Sequence, residues 1–214
     1  MSGRQVMAVL ATTISLLAYS ARAQDEKNEL TGILGRTFIS DQGIVGATYF
    51  NPFVRSGKGL TFEVNYARRL YGTLVYSISA EVPAVFNLDE DLNSGADVVP
   101  KDYQQIFVTP SVRFKLFPET SDSPWVSFGG GFGHISENNT LLYGGANPGG
   151  SSTSGVVQGG LGLDLRPFHR RFSHFGFRGQ VRDFWSGTPD LPLAATGKTR
   201  QHNYFLGVGV VYHF

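Results

Sequence analysis

Apolar side chains alternate with small or polar ones over the last eleven residues of the chain, Tyr204 to Phe214. Successive side chains of a β-strand point to opposite faces, so this pattern predicts a strand with one apolar face. That face consists of Tyr204, Leu206, Val208, Val210, Tyr212 and Phe214. Such a strand fits a wall between lipid and a polar interior, and a membrane admits strands only as a closed barrel. Soluble β-sandwiches contain similar strands, so this strand alone does not distinguish a membrane barrel from a soluble sandwich, and the rest of the sequence is needed.

Seven further stretches accept the same period of two, which gives eight predicted strands. They span about 29–39, 59–69, 72–82, 104–116, 125–136, 155–166, 174–184 and 203–214. Long connections, rich in Gly, Pro, Asn, Asp and Ser, alternate with short ones, and the long ones are 40–58, 83–103, 137–154 and 185–202. Outer-membrane barrels have short periplasmic turns and long external loops. The sequence therefore predicts an all-β, eight-stranded antiparallel up-and-down transmembrane barrel.

Two places in this pattern are irregular. The segment from Gln42 to Phe53 contains Ile44–Phe50, which could be an extra strand; we interpret it as part of a structured external loop, and a ten-stranded barrel is the alternative. Pro110 lies within the fourth predicted strand, and proline cannot donate to the ladder, so a bulge or break is expected there.

The N-terminal segment has the features of a secretory signal. Arg4 precedes an apolar run from Val6 to Tyr19. Ala21 and Ala23 then supply small residues at the two positions that a signal peptidase reads, so we expect cleavage before Gln24. Residues 1–23 are then a signal peptide and residues 24–214 a single barrel domain. Removal of Arg4 and Arg22 leaves 16 basic against 17 acidic residues, a net charge of −1, and gives no indication of nucleic-acid binding. The chain has no cysteine and therefore no lipid-anchored cysteine.

Seven charged residues of the predicted strands share the face opposite to lipid. They are Glu63, Glu81, Arg113, Lys115, Asp164, Arg178 and Arg182. An Arg or Lys on the lipid face near the midplane costs about 2 to 4 kcal/mol, which favours this register. The lumen of an eight-stranded barrel is only wide enough to be filled by side chains. We therefore predict a network of ion pairs in place of a water pore; the alternative is a set of hydrated charges without defined pairing.

Aromatic residues cluster near the predicted strand ends, as expected for girdles at the two membrane interfaces. The predicted periplasmic girdle contains Tyr71, Phe117, Trp125, Phe168, Phe172, Tyr212 and Phe214. The predicted external girdle contains Tyr49, Phe50, Phe53, Phe184 and Trp185.

Several segments resemble the outer membrane protein β-barrel domain family, whose best-known members are the small barrels of the outer membrane protein A and X types. These segments are Phe62–Leu70 (FEVNYARRL), Pro110–Phe114 (PSVRF), Phe128–Gly133 (FGGGFG) and Val211–Phe214 (VYHF). The resemblance implies a location in the outer membrane, with its lipid and lipopolysaccharide as neighbours. It also implies that Tyr212 and Phe214 form a C-terminal signal for the barrel assembly machinery. We expect a monomer without a cofactor; the family has no single activity.

One short motif carries candidate chemistry. His134-Ile135-Ser136, followed by Glu137, resembles the His-x-Ser-Asn motif of lipid A deacylases, and a hydrolase needs a nucleophile beside a base. Glu137 stands where that motif has asparagine, and the motif lies in the fifth strand instead of near the C-terminus. We therefore predict a non-enzymatic barrel, with deacylase-like hydrolysis as the minor alternative. The other histidines have no carboxylate or histidine at ligand spacing, so no metal site is predicted.

Two main functions are compatible with these predictions. The first is a structural or surface-interaction role, in which a barrel with a filled lumen presents long external loops. The second is transport of a small solute, which would require a lumen of ten or more strands.

Overall fold

The computed structural model describes residues 27–44, 53–56, 59–93, 100–148, 150–166, 174–188 and 199–214. The predicted signal peptide lies outside these residues. Eleven strands lie within them: β1 (Asn28–Ile39), β2 (Gln42–Gly43), β3 (Phe53–Ser56), β4 (Leu60–Gly72), β5 (Tyr76–Asn93), β6 (Asp102–Val108), β7 (Ser111–Leu116), β8 (Asp122–Glu137), β9 (Ser151–Leu165), β10 (Phe175–Gly187) and β11 (Arg200–His213).

The strands close into one antiparallel barrel with eight wall positions. The order around the wall is β1, β4, β5, then β6 and β7 at one shared position, then β8, β9, β10 and β11. Strand β11 returns to β1 in a continuous register from Glu29↔His213 to Ile39↔Asn203, which leaves no open edge in the wall. This arrangement confirms the eight-stranded up-and-down barrel, and the ten-stranded alternative is wrong for the described residues.

The two ends of the barrel differ in the length of their connections. At the short-turn end, residues 73–75 and 117–121 join neighbouring strands. At the long-loop end, the connections run over 40–59, 94–101, 138–150 and 188–199. The predicted alternation of short turns and long loops therefore holds except at 94–101, which is no longer than the 166–174 connection between β9 and β10, because β5 extends to Asn93.

Two prolines account for the interruption between β6 and β7. The Thr109 amide donates a hydrogen bond to the Pro83 carbonyl oxygen of β5, but Pro83 has no N–H to return. The Thr109 carbonyl instead accepts a hydrogen bond from the Ser111 hydroxyl at 2.6 Å, and Pro110 follows without a donor of its own. The predicted break at Pro110 is confirmed.

The segment after β1 forms a small ribbon at the long-loop end. Gln42 pairs with Val54, and Arg55 of β3 pairs with Asn93 at the end of β5. Strands β2 and β3 therefore extend the sheet beyond the barrel without entering its wall. The predicted end of the third barrel strand at residue 82 is wrong, since β5 continues to Asn93 and pairs with β6 across an irregularity between residues 87 and 90.

Alternate residues face opposite sides of the wall. On β11, the predicted apolar face is exposed, with Leu206 at 53 % and Val208 at 69 %, whereas Phe205 and Val211 point into the lumen and are fully buried. On β1, where the sequence left two choices, Leu34 and Phe38 point outward and Ile33 inward. No helix among the described residues is long and apolar enough to span a membrane.

Candidate functional site in the barrel lumen

Five ionic side chains form a buried layer in the half of the lumen nearer the short-turn end. The Arg178 guanidinium binds the Asp164 carboxylate with two hydrogen bonds, Nε to Oδ1 at 2.6 Å and Nη2 to Oδ2 at 2.8 Å. The Lys115 ammonium lies between two carboxylates, 2.6 Å from Asp164 Oδ2 and 2.9 Å from Glu29 Oε1. Glu29 also accepts hydrogen bonds from Arg113 and, at 3.2 Å, from Arg178. Each charge in this layer therefore has at least one opposite charge in contact.

Arg182 is the centre of the next layer. Its Nη1 donates to Glu81 Oε1 at 2.9 Å, and its Nε lies 3.3 Å from Glu63 Oε2. Each carboxylate also accepts a hydrogen bond from a neutral amide: Gln180 Nε2 donates to Glu63 at 2.5 Å, and Asn65 Nδ2 donates to Glu81 at 3.0 Å. Both carboxylates therefore contact Arg182 and one amide each.

The two layers form one network. The Arg113 Nη1 atom lies 3.4 Å from Glu81 Oε2, and the same arginine binds Glu29 in the first layer. Four carboxylates and four cations take part: Glu29, Glu63, Glu81, Asp164, Arg113, Lys115, Arg178 and Arg182. All are buried, and their formal charges cancel. Burial of unpaired charges would be very costly, so this balance lets the barrel close around them.

Trp125 lies at the centre of the network, where three arginines surround its ring. The guanidinium carbons of Arg113, Arg178 and Arg182 are 5.7, 5.1 and 5.2 Å from the ring centroid. The indole Nε1 donates to Asp164 Oδ1 at 3.1 Å, and the residue is only 2 % exposed. The prediction that Trp125 belongs to the periplasmic girdle is wrong, because its position on β8 has the parity of the lumen.

All seven charged residues predicted for the lumen point inward, and the structure brings all seven together. Glu29, the acceptor shared by three cations, was not among them. It lies one residue from the start of β1, where two registers competed. The sequence feature that could have identified Glu29 is its position: it lies on the same face of β1 as Ile33, which also faces the lumen.

Nearer the long-loop end, the lumen is filled by apolar side chains. Six residues form this cluster, which we call the apolar plug: Ile33, Val85, Phe107, Val156, Phe184 and Phe205. Each is at most 4 % exposed, and each comes from a different wall position. On β10, Arg178 and Arg182 precede Phe184, so the plug lies above the ionic network. The prediction that Phe184 belongs to the external girdle is therefore wrong, since its side chain points into the plug.

Polar residues line the lumen beyond the plug. The Thr37 and Thr61 hydroxyls are 2.7 Å apart, and Asn203 Nδ2 donates to the Phe184 carbonyl oxygen and to the Ser186 hydroxyl, both at 2.9 Å. A second apolar cluster, Leu92, Tyr103 and Ile135, packs against Ile39 and Ile44 at this end. The described lumen is therefore layered, with a plug between two polar zones.

The candidate catalytic residues lie on the outer surface of β8, close to the long-loop end. His134 and Ser136 share the outward face, as the spacing predicts, but the His134 Nδ1 atom is 2.8 Å from the Thr153 hydroxyl of β9. Among the described residues, no hydrogen bond joins His134 to Ser136. Glu137 accepts a hydrogen bond from Asn147 at 3.4 Å. The structure therefore pairs His134 with the Thr153 hydroxyl and, among the described residues, not with Ser136.

The C-terminal residues complete the wall. Phe214 and Asn28 exchange two backbone hydrogen bonds of 2.9 Å, which join the end of the chain to the start of β1. The Tyr212 ring stacks on Phe214 at 5.6 Å and contacts Phe175 at 5.0 Å, so these rings form an aromatic group at the short-turn end. Within the described residues, no group of three or more His, Asp or Glu side chains is arranged to hold a metal ion.

No protein-family model matches the chain, and a comparison with curated proteins gives no match. Among solved structures, it is similar to Neisserial surface protein A, with a TM-score of 0.55 and 12 % identity over 87 % of this chain and 97 % of that one. Similarity also extends to the outer membrane protein OprG from Pseudomonas aeruginosa (TM-score 0.47, 12 % identity, 88 % and 97 % covered). The outer membrane enzyme PagL matches with a TM-score of 0.45 and 13 % identity over 85 % and 97 %. At 12 % identity, the similarity to Neisserial surface protein A shows the fold alone, which is that of the small eight-stranded outer-membrane barrels.

Proposed function

We propose that this protein is a non-enzymatic, integral barrel of the bacterial outer membrane that does not conduct solutes and that presents its long loops at the cell surface. The observation that carries the proposal is the filled lumen: a neutral, buried ionic network lies below an apolar plug contributed by six wall positions. A solute path would have to pass both layers. The interior thus stabilises the wall, and the function depends on the outer surface of the barrel and on its loops.

The outside of the barrel supports a location in a membrane. Large apolar side chains are exposed all around the wall, for example Leu60, Val112, Phe128, Leu161 and Val208, each more than 50 % exposed. A soluble protein rarely exposes an apolar surface of this extent, whereas a barrel in lipid requires it. The short-turn end then faces the periplasm, and the long-loop end faces the exterior.

The loop between β8 and β9 supports a role in surface interaction, because it is built as a defined structure. The Leu141 amide donates to the Gly145 carbonyl oxygen at 2.8 Å, and Asn138 Nδ2 donates to the Asp102 carboxylate at 3.0 Å. Leu141 is 7 % exposed, while Tyr143 at the tip is 66 % exposed. An ordered loop with a projecting tyrosine is a suitable contact surface for a partner.

The proposal assigns no catalytic role to His134, Ser136 or Glu137. A Ser hydrolase requires its base within hydrogen-bond reach of the nucleophile, and the His134 imidazole is instead paired with Thr153. Expression of the protein should therefore leave the mass of lipid A unchanged. A loss of one acyl chain that disappears in a His134→Ala variant would contradict this part of the proposal.

The test of location and orientation uses short epitopes inserted at both ends of the barrel. An epitope after Gly144, at the tip of the β8–β9 loop, should be accessible to antibody on intact Gram-negative cells. The control is the same epitope after Thr120, in the turn before β8, which should become accessible only after the outer membrane is permeabilised. Accessibility of the Thr120 epitope on intact cells, or fractionation of the protein away from the outer membrane, would contradict the proposal.

A further inference from the structure

Arg36 is a cation on the outward face of the barrel, within the apolar surface. It pairs with Leu60 of β4 on one side and with Leu206 of β11 on the other, and its neighbours on the same face of β1 are Leu34 and Phe38. The side chain is exposed, and within the described residues it makes no hydrogen bond or ion pair. A charged side chain in the membrane-spanning part of a protein is by default a candidate for a functional contact.

Arg200 is a second outward cation on the same side of the barrel, at the start of β11. Its guanidinium carbon lies 4.7 Å from the centroid of the Trp185 ring, which holds the side chain over the aromatic face. Trp185 stacks on His202, and His202 stacks on Tyr204 at 5.7 Å with an angle of 6° between the rings. In the described part of the chain, Arg200 likewise has no carboxylate partner.

These residues form one surface on β1, β10 and β11, which we call the outer-leaflet patch: Arg36, Asp183, Trp185, Arg200, His202 and Tyr204. Its one carboxylate, Asp183, is already paired, since His202 Nδ1 lies 2.8 Å from Asp183 Oδ2. Two arginines therefore stand against one carboxylate, so the formal charge of the patch is positive whether or not His202 carries a proton.

The height of the patch matches the external boundary of the membrane. From Tyr212 to Tyr204, eight residues at about 3.3 Å each and a strand tilt of about 40° give a rise of ~20 Å along the barrel axis, against an apolar band of about 25 Å. Arg200 lies beyond Tyr204, among headgroups. Arg36 lies one outward position below Tyr204, and its long side chain can extend toward the same headgroups.

We propose that the outer-leaflet patch binds the phosphate groups of the phosphorylated glycolipid of the outer leaflet, lipopolysaccharide. The inference rests on the proposed membrane location. Guanidinium groups form paired hydrogen bonds with phosphate oxygens, and the rings of Trp185 and Tyr204 offer flat surfaces to the sugar and to the first methylene groups of the acyl chains. Arg200 binds a phosphate group at the height of the headgroups. Arg36 extends toward a phosphate group from the membrane side.

The experiment measures lipid binding to the purified full-length mature barrel in detergent micelles by native mass spectrometry. The probes are bisphosphorylated lipid A, dephosphorylated lipid A and phosphatidylglycerol. Wild type should prefer bisphosphorylated lipid A over the other two by at least about tenfold, and Arg36→Gln/Arg200→Gln should lose this preference. The matched control is Arg68→Gln, an exposed outward arginine near the short-turn end of β4, which should bind lipid A as wild type does.

Folding of each variant is checked by its heat-dependent mobility on electrophoresis, and Arg200→Gln alone serves if the double variant does not fold. Binding of lipid A by the folded variant within twofold of wild type would overturn the proposal, as would an equal loss in Arg68→Gln. Equal binding of phosphatidylglycerol would overturn the assignment to the outer-leaflet glycolipid. A barrel that inserts into membranes but shows no preference for lipid A contradicts this inference alone, whereas a chain that does not insert contradicts the proposed function.

Discussion

The rings of Phe107 and Phe184 stack face to face inside the barrel, with centroids 4.9 Å apart and an angle of 5° between the ring planes. They belong to β6 and β10, which are not neighbours in the wall, so this contact crosses the lumen. Aromatic contacts of this kind stabilise a core beyond simple burial. The pair therefore identifies the apolar plug as a packed core placed inside a barrel that is itself apolar on the outside.

Truncation of the plug tests this interpretation. Phe107→Ala should lower the free energy of unfolding by about 3 to 5 kcal/mol, because it removes a fully buried ring and leaves a cavity. The control is Phe128→Ala on β8, whose ring is 69 % exposed on the outward face and should cost clearly less. Urea unfolding in lipid vesicles measures both. Equal losses for the two variants would contradict a packed plug.

Removal of one arginine tests the ionic network. Arg178→Met removes the two hydrogen bonds that Arg178 donates to Asp164 and leaves the buried network with one excess negative charge, so we expect a loss of about 3 to 5 kcal/mol in the free energy of unfolding. Arg178→Met/Asp164→Leu should recover part of that loss, because both ends of the pair are then apolar. The contrasting pair is Arg69 and Glu119 at the surface, 3.0 Å apart, where Arg69→Met should cost no more than about 1 kcal/mol. A double variant less stable than Arg178→Met would contradict the assigned pairing.

The two tryptophans of the chain should report opposite environments. Trp125 is 2 % exposed in the lumen, whereas Trp185 is 42 % exposed on the outward face. In vesicles of brominated lipid, the fluorescence of Trp185→Phe, which retains only Trp125, should resist quenching. Trp125→Phe retains only Trp185 and should be quenched strongly. Quenching of Trp125 by lipid would place it in the membrane girdle and contradict the network described above.

The glycines of β8 allow it to pass close to the interruption between β6 and β7. A Cβ atom on Gly129 would lie 2.6 Å from the Ser111 Cα atom, so Gly129→Ala should destabilise the barrel by about 1 to 3 kcal/mol. Gly155→Ala on β9 is the control, since a Cβ there meets nothing within 4 Å. Folding yield and urea midpoint compare the two. If both variants behave alike, the close approach at Gly129 has no energetic weight.

The period of two was sufficient to predict the wall, because each barrel strand must separate lipid from lumen along its whole length. The same parity placed Glu63, Asp164 and the other predicted charges inside. The girdle prediction is wrong for Trp125 and Phe184, because an aromatic residue near a strand end can also face the lumen. Parity alone would have placed both in the lumen.

Other features depend on contacts between residues distant in sequence. Glu29 could not be assigned from its own strand, where two apolar faces competed, and its role follows from three cations on β7 and β10. The apolar plug has a signal, since Phe107 and Val156 are apolar at lumen parity, but their meeting across the barrel follows only from closure of the wall. The extension of β5 to Asn93 was hidden by Pro83 and by polar residues typical of loops.

Single-channel recording in planar lipid bilayers tests the filled lumen most directly. The wild-type barrel should insert without stable conductance steps, while a general porin recorded in the same bilayer provides the positive control. Absence of steps from protein whose insertion is verified by protease protection is the predicted result. Stable openings of porin size from the wild-type barrel would show a continuous aqueous path, and this result would contradict both the apolar plug and the non-conducting function proposed for it.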